Sequence, residues 1–410
     1  MGRKAALHNL GCKVNAYEAE AMRQMLEKAG YEIVPFAPGA DVYVINTCTV
    51  TETSNKKSRG EIRKVHRINP DARIIVAGCY AQMRPDEVRA IPGVARVFLA
   101  SEKHLVVPET LNTINSSRQE LPVAETVFSA YSTSERTRAF LKVQDGCNYF
   151  CSYCAIPYAR GRSRSVPLEV LLEQAKNIAE KGVKEIVLTG VNIGDYQGGL
   201  LDVMKALDKI GGIERYRISS IEPNLLTDSM IDWIASGTKF QPHFHIPLQS
   251  GCNSTLERMH RRYDTELFAG KIDYIRKKMG DVFFGIDVIA GFPGETDSEF
   301  SSTLEFLGKR ISPAFLHIFP YSRRKGTLAD KMDSQVPERV KSLRVKALET
   351  LSDELHGAYV KRFEGTVQKV LFEGRIKGSP AVMGGYTGNY IRVERPYDAS
   401  AIGRIVEVTL

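Results

Sequence analysis

The chain has 410 residues, a formal net charge of +8 and a hydrophobic fraction of 43%. This apolar content excludes a wholly disordered chain, and the length indicates two or three domains with separate cores. No apolar run approaches the length of a membrane span, and the N-terminus lacks the apolar stretch of a signal peptide. Seven cysteines in such a chain favour metal or redox use over a disulfide framework, and we expect a cytoplasmic protein.

Residues 1–110 are predicted to form an α/β domain. Its predicted strands are continuous and apolar, which is typical of a parallel sheet covered on both faces by helices. In order along the chain, these strands are KAALHNL, DVYVINT, RIIVAG and ARVFLA. The first predicted helix places Met22, Met25 and Leu26 on one face and ends at Gly30.

Three cysteines, Cys12, Cys48 and Cys79, each follow a predicted strand of this domain. The carboxyl ends of parallel strands meet at one edge of the sheet, so we expect the three thiols to lie close together. Gly11 and Gly78 allow tight turns beside two of them. One cysteine at such a position is usually a core residue, but three indicate an iron–sulfur cluster with one iron that lacks a protein ligand.

Residues 111–137 are rich in Ser, Thr, Pro and charges and are predicted to be a linker. From residue 138 to residue 335 the alternation of strands and helices resumes. Six units are too few for a closed eightfold barrel. The predicted strands of this region are AFLKVQ, KEIVLTG, RYRISS, HFHIPL, VFFGIDVIAG and AFLHIFPYS.

The first of these strands leads into Cys147, Cys151 and Cys154, spaced C-x3-C-x2-C. An iron–sulfur cube has four irons and this loop offers three thiolates, so the fourth iron is free to bind a small molecule. The alternative is a structural zinc site, which usually takes four ligands, and no further Cys or His lies within twenty residues of the triplet. Cys252 lacks a partner motif and is expected to be a packing residue.

The segments GCKVN, NTCTVT, AGCYAQ and GCNYFCSYCAIPYARG together resemble the methylthiotransferases, a family of radical S-adenosylmethionine (SAM) enzymes. The resemblance spans nearly the whole chain. GCKVNAYE, NTCTVTETS and PYARGRSRS are most similar to the branch that acts on N6-threonylcarbamoyladenosine at position 37, beside the tRNA anticodon. Membership implies insertion of a methylthio group at C2 of that nucleoside.

The resemblance also implies the architecture and the partners. Residues 138–335 would form an open radical SAM barrel of six strand–helix units, and the cofactors would be two [4Fe-4S] clusters and SAM. The partners would be a tRNA anticodon stem-loop, an electron donor such as flavodoxin or ferredoxin, and a sulfur donor, with no membrane involved.

The resemblance places SAM at the C-terminal ends of the central strands. Tyr153 matches a position whose aromatic ring packs on adenine, and the segment after the second strand matches one that meets the amino-acid part of SAM. The predicted SAM contacts are Tyr153, Thr189, Gly190, Asn192, Ser220, Glu222, Gln249 and Gly291. For each of them a structural role as a turn glycine, helix cap or core residue stays open.

Residues 336–360 are predicted to form a connecting helix, and 361–410 a small β domain similar to the TRAM domain that ends this family. Clusters of Lys and Arg, together with tyrosines interleaved with arginines near the C-terminus, suit contacts with phosphates and unpaired bases, although any one basic cluster is often a solvated surface. The predicted RNA contacts are Arg160, Arg162, Tyr390, Arg392 and Arg395.

Two other classes of function stay open at this level. One is the same chemistry on isopentenyladenosine in tRNA or on a ribosomal protein side chain. The other is a non-catalytic iron–sulfur protein that binds RNA. Formation of 5′-deoxyadenosine from SAM, followed by analysis of tRNA nucleosides, separates these alternatives.

Overall fold

A computed structural model describes residues 3–11, 13–49, 51–106, 131–132 and 137–410. Cys12 and most of the predicted linker lie outside these residues. Within the described residues, no helix combines the length and the apolar character needed to cross a membrane.

The N-terminal part is a five-stranded sheet in which every neighbouring pair is parallel, in the order β2-β1-β3-β4-β5. The strands are β1 (Lys4–Asn9), β2 (Glu32–Ile33), β3 (Val42–Thr47), β4 (Arg73–Gly78) and β5 (Val94–Val97). The helices are α1 (Lys13–Lys28), α2 (Glu52–Ile68), α3 (Cys79–Met83) and α4 (Pro85–Arg89), and a 3-10 turn covers Ala100–Leu105.

Both faces of this sheet are covered. Met22 and Leu26 of α1 are fully buried against one face, and Ile62 and Val65 of α2 against the other. The Thr51 side chain caps α2 by accepting a bond from the Ser54 N–H at 3.1 Å. The predicted parallel-sheet α/β arrangement is therefore confirmed.

The central part contains the six predicted strands, which run parallel in chain order. They are β7 (Arg138–Lys142), β10 (Glu185–Thr189), β11 (Arg215–Ile218), β12 (His243–Gln249), β13 (Phe283–Ala290) and β14 (Phe315–Pro320), and the short strands β6 (Tyr131–Ser132), β8 (Gln144–Asp145) and β9 (Arg164–Ser165) accompany them. The six long strands and β6 form two sheets, β6-β7-β10-β11 and β12-β13-β14. A parallel bridge between Tyr216 and Phe240 joins the two sheets.

Helices pack on the outer face of these strands. They are α5 (Ile156–Arg160), α6 (Leu168–Glu180), α7 (Leu200–Asp208), α8 (Asp228–Ala235), α9 (Asn253–Arg258), α10 (Thr265–Met279) and α11 (Asp297–Glu305), and α11 continues into a π-helical turn, Phe306–Ile311. Alternate strand residues such as Ile246, Ile286 and Leu316 form one large core with these helices. The intervening positions face the interior, where many of the side chains are polar.

The C-terminal part begins with α12 (Glu338–Lys361), which packs on β14. An antiparallel sheet follows in the order β17-β16-β15-β18, formed by β15 (Val367–Ile376), β16 (Ser379–Thr387), β17 (Arg392–Pro396) and β18 (Ile405–Thr409). Arg215, the first residue of β11, donates to the carbonyls of Tyr386 and Lys369 at 3.1 and 2.6 Å. The sheet therefore contacts the end of the central part where the strands begin.

Candidate active site

The loop after β8 carries Cys147, Cys151 and Cys154. Backbone N–H groups donate to the sulfurs of Cys147 (3.4 Å) and Cys154 (3.5 Å), and the Nη1 of Arg261 donates to the Cys151 sulfur at 3.1 Å. Gly146 turns the loop with a φ of +73°, and an added Cβ would lie 2.0 Å from a backbone oxygen. Every sulfur thus has a donor, as thiolate ligands of a metal centre do.

Burial raises the pKa of all three thiols of this loop, that of Cys154 to about 12. Such groups stay protonated at neutral pH until a metal centre ionises them. Within the described part of the chain, the three sulfurs do not converge closely enough for a single ion to touch all of them. A polynuclear cluster, in which each thiolate binds a different iron, does not need the three sulfurs to share one ion.

The predicted SAM contacts Asn192, Gly190 and Thr189 lie beside this loop. Oε1 of Gln144 accepts bonds from the backbone N–H groups of Val191 (3.1 Å) and Asn192 (2.8 Å), while its Nε2 donates to the carbonyl of Gly146 at 2.7 Å. Gln144, which the sequence analysis did not single out, therefore fixes the segment after β10 against the cysteine loop.

Two buried polar groups in this region have no hydrogen-bond partner among the described residues. They are the side-chain amide of Asn192, which is 3% exposed, and the hydroxyl of Ser219, which is 7% exposed. Buried polar groups normally find partners, so both fit groups that receive a polar ligand. This observation supports a SAM site at the ends of β10 and β11.

The other predicted SAM contacts occupy distinct positions. Glu222 pairs with Arg261, and burial raises the pKa of Glu222 despite this cation. Gln249 has a φ of +70° and lines a cavity of about 180 Å³ together with Tyr153. Ser220 is partly buried directly after β11.

Gly291 has a φ of +75°, a conformation that favours glycine. An added Cβ there would lie 2.4 Å from Cγ of Lys341 on α12, so the helix also packs on this residue. Gly291 stays a predicted SAM contact.

The second predicted triad lies at the carboxyl edge of the N-terminal sheet. Cys48 follows β3 and Cys79 opens α3, and both are buried. An added Cβ at Gly78 would lie 2.3 Å from the carbonyl oxygen of Thr47, so the two strand ends are in close contact. Gly11, beside Cys12, would place a Cβ 3.0 Å from the Cys48 sulfur.

The two cysteine sites face each other, because α3, which begins at Cys79, packs on α5, which follows Cys154. Arg160 lies at this contact. Burial would lower its pKa, but the neighbouring Asp145, Cys79 and Glu18 keep that pKa well above its ordinary value. The two sites are therefore neighbours within one interface.

Two family models and several curated relatives match this chain. The model of the Uncharacterized protein family UPF0004 matches residues 4–100, and that of the Radical SAM superfamily matches residues 141–307. The threonylcarbamoyladenosine tRNA methylthiotransferase MtaB of Bacillus subtilis is 42% identical over 99% of this chain and 93% of its own length. The protein of the same name from Thermotoga maritima is 38% identical over 95% and 90%.

The chain belongs to the radical SAM methylthiotransferase family. Membership implies a [4Fe-4S] cluster with SAM and a second cluster, which the two cysteine sites fit. A tRNA-2-methylthio-N(6)-dimethylallyladenosine synthase from Carboxydothermus hydrogenoformans is 33% identical over 98% of this chain and 90% of its own. The fold resembles the radical SAM methyltransferase TsrM of Kitasatospora setae, with a TM-score of 0.62, 13% identity and coverage of 80% and 74% of the two chains.

One predicted RNA contact of this methylthiotransferase, Arg160, is corrected by its position. The Arg160 side chain is only 2% exposed and is bound by Glu18 at 2.9 Å and Asp145 at 3.0 Å, so it has no free face for a phosphate. Tyr390 stacks on Tyr386 with ring centroids 4.7 Å apart and packs on His243 and Phe283 of the central strands. It is partly exposed and stays a predicted RNA contact.

The remaining RNA candidates are accessible. Arg162 is exposed, and Arg392, whose side chain is 53% exposed, pairs with Glu394 at 2.9 Å. Arg395 donates to the carbonyl of Thr409 at 2.5 Å and is partly buried. These three residues stay predicted RNA contacts.

The sequence analysis missed a cluster on the interior face of β12, β13 and β14. His245 Nε2 lies 2.5 Å from Oδ1 of Asp287, and the rings of His245 and His317 are 4.5 Å apart. Gly285 lies between them, and an added Cβ there would come within 3.2 Å of His317 Nε2. Alternation of His and Asp with apolar residues along three adjacent strands is the signal that would have revealed it.

Proposed function

We propose that this methylthiotransferase inserts a methylthio group at C2 of N6-threonylcarbamoyladenosine at position 37 of tRNA. The observation that carries the proposal is the pairing of two cysteine sites across the α3–α5 contact. Relatives with this activity in their names, at 36–42% identity over nearly the whole chain, support the choice of nucleoside.

In this proposal Cys147, Cys151 and Cys154 hold the cluster that binds SAM, and Cys12, Cys48 and Cys79 hold the auxiliary cluster. When bound, these groups supply the radical chemistry at an aromatic carbon and the sulfur and methyl group to be inserted. Asn192 and Ser219 offer their unpartnered polar atoms to SAM.

Other side chains position and shield the reacting groups. Arg261 holds Glu222 and the Cys151 sulfur in place through its guanidinium. The cavity of about 180 Å³ beside Tyr153 is also lined by Ile289 and Phe319, and these apolar side chains would limit contact between water and the reacting groups.

The proposal also includes the finer architecture. The six parallel strands of residues 138–335 form an open barrel, and residues 361–410 form a TRAM-like domain that contacts the anticodon stem-loop, with Arg162, Arg392 and Arg395 as RNA contacts. The target base must leave the anticodon-loop stack to reach the site. A sulfur donor and an electron donor such as flavodoxin or ferredoxin serve the enzyme in the cytoplasm.

Two single substitutions test the division of labour. Cys147→Ala should abolish SAM cleavage, because the cluster that binds SAM loses a ligand. Cys48→Ala should retain SAM cleavage and lose methylthiolation, because only the auxiliary site is damaged. The measurements are 5′-deoxyadenosine formation and mass spectrometry of tRNA nucleosides with anaerobically reconstituted protein.

The same experiment decides between substrates. Product on N6-threonylcarbamoyladenosine is the expected result. Product only on isopentenyladenosine or on a ribosomal protein would contradict the proposal, and an absence of 5′-deoxyadenosine from the wild-type protein would favour a non-catalytic RNA-binding role.

A further inference from the structure

A cleft of about 640 Å³ opens between the two cysteine sites. Thr49, which follows Cys48, and Ala155, which follows Cys154, are part of its wall. Cationic side chains outnumber anionic ones in the lining. The cations are Arg59, Arg84, Arg323, Arg324 and Lys325, and the anions are Glu52, Glu87 and Asp330. This balance favours an anionic ligand next to the proposed reaction centre.

Two of these cations share a single carboxylate. Oε1 of Glu52 lies 3.3 Å from Nη2 of Arg59, and Oε2 of Glu52 lies 3.7 Å from Nη1 of Arg324. Both distances are longer than the roughly 2.7–2.9 Å of a strong charge-assisted hydrogen bond. The Glu52 side chain is 51% exposed in the first turn of α2, and its Oε2 accepts a hydrogen bond from the Asn55 amide at 2.9 Å, so the carboxylate is tied to the two arginines only by long contacts.

The two guanidinium groups have further partners that would keep them in place without Glu52. Nη1 of Arg59 donates to the Tyr80 hydroxyl at 3.1 Å and to Glu87 at 3.0 Å. Arg324 is buried, and its Nη2 donates to the carbonyl of Thr49. Because both groups are fixed, a ligand carboxylate that takes the place of Glu52 meets preorganised donors.

We propose that Arg59 and Arg324 recognise the threonyl carboxylate of the substrate nucleoside, and that Glu52 occupies this place in the absence of substrate. This inference rests on the proposed function, which names a nucleoside with a carboxylate on its N6 substituent. Guanidinium groups match the planar geometry of a carboxylate, and an isopentenyl group offers them no partner. The site therefore selects among adenosines with different N6 substituents.

The test uses the protein with both clusters assembled and two anticodon stem-loop RNAs. One RNA carries N6-threonylcarbamoyladenosine, and the other carries the same group with its carboxylate converted to an amide. Binding is measured without reductant, so that no turnover occurs. The wild-type protein should bind the amide RNA about ten- to a hundredfold more weakly, because hydrogen bonds to a charged group are lost.

Substitutions assign this difference to the two arginines. Arg59→Gln and Arg324→Gln should each weaken binding of the carboxylate RNA and leave binding of the amide RNA nearly unchanged. Glu52→Gln should strengthen binding of the carboxylate RNA, because a competing negative charge is removed. Among the described residues, Arg59 bonds to Glu52, Tyr80 and Glu87 and to no cysteine, so its variant is informative even if Arg324→Gln loses the auxiliary cluster.

Arg323→Gln is the matched control, since Arg323 lines the same cleft but is exposed and paired with Asp330 at 2.7 Å. It should change binding of both RNAs equally. The inference would be overturned if the wild-type protein bound the two RNAs with equal affinity. It would also be overturned if the Arg59 and Arg324 variants lost the same affinity for both RNAs, because that result would indicate contacts with backbone phosphate. If the enzyme forms methylthiolated product but binds the two RNAs equally, only the carboxylate site is contradicted. If it binds the carboxylate RNA more tightly but forms no methylthiolated product, only the proposed reaction is contradicted.

Discussion

Arg261 joins three groups at the loop of Cys147, Cys151 and Cys154. Its guanidinium donates to the Cys151 sulfur at 3.1 Å and to the Tyr153 hydroxyl at 3.3 Å, and it pairs with the carboxylate of Glu222. The side chain is only 2% exposed, so water does not screen these contacts. Arg261 thereby contacts a predicted cluster ligand, Cys151, and two residues that are predicted to contact SAM, Tyr153 and Glu222.

Removal of this charge should make the cluster harder to reduce. We expect Arg261→Gln to lower the reduction potential of the SAM-binding cluster by about 50 mV, close to a tenfold change in a one-electron equilibrium. The physical reason is the loss of a positive charge and of a hydrogen bond to sulfur. An anaerobic redox titration followed by electron paramagnetic resonance measures the shift.

Arg262→Gln is the control for this experiment. Arg262 stacks on Tyr149 at 4.1 Å and donates to the carbonyl of Asn148, and no hydrogen bond from it to sulfur occurs among the described residues. Equal potentials in the two variants would show that the contact between Arg261 and Cys151 does not tune the cluster.

Elements of the N-terminal and central parts are joined by a buried network of charges. Glu18 on α1 binds Lys142 of β7 at 2.9 Å, Arg160 of α5 at 2.9 Å, and Lys103. Asp145 binds the same Lys142 and Arg160 at 2.7 and 3.0 Å. Burial alone would raise the pKa of Glu18, but the three cations hold it well below its ordinary value. The network fixes how α1 and α5, and hence the two cysteine sites, lie against each other.

Glu18→Gln should destabilise the protein by roughly 3–5 kcal/mol, because it leaves buried cations without a partner. The thermal unfolding midpoint measures this effect. Glu27→Gln on the same helix is the control, since Glu27 is 44% exposed in its pair with Arg23 and should cost about 0.5 kcal/mol or less. Similar midpoints for the two variants would contradict a structural role for the network.

At the scale of the molecule, the cysteine sites and the C-terminal sheet lie at opposite ends of the central strands. Cys147 lies in the loop beyond the end of β7, whereas Arg215, the first residue of β11, donates to the carbonyls of Tyr386 and Lys369 in the C-terminal sheet. An RNA that contacts both Arg162 and Arg392 must therefore extend along the side of the protein. The proposed open barrel provides an entrance for the target base on that side.

Much of this arrangement could be predicted from the sequence, because its signals are local. The strand patterns and the position of Cys48 and Cys79 after two parallel strands required no knowledge of distant contacts. The ion pair between Glu18 and Arg160 joins residues 142 positions apart, and only the folded chain reveals it. Arg160 was wrongly predicted as an RNA contact because composition does not distinguish a buried cation from an exposed one.

The account depends most on two separate cysteine triads that each hold a cluster. Iron and acid-labile sulfide should be measured in the reconstituted wild-type protein and in two variants, one with Cys147, Cys151 and Cys154 changed to Ala and one with Cys12, Cys48 and Cys79 changed to Ala. We predict about eight irons per wild-type chain and about four in each variant, since each triad holds one [4Fe-4S] cluster. About four irons in the wild-type protein, zinc in place of iron, or loss of all iron from either variant would contradict the account.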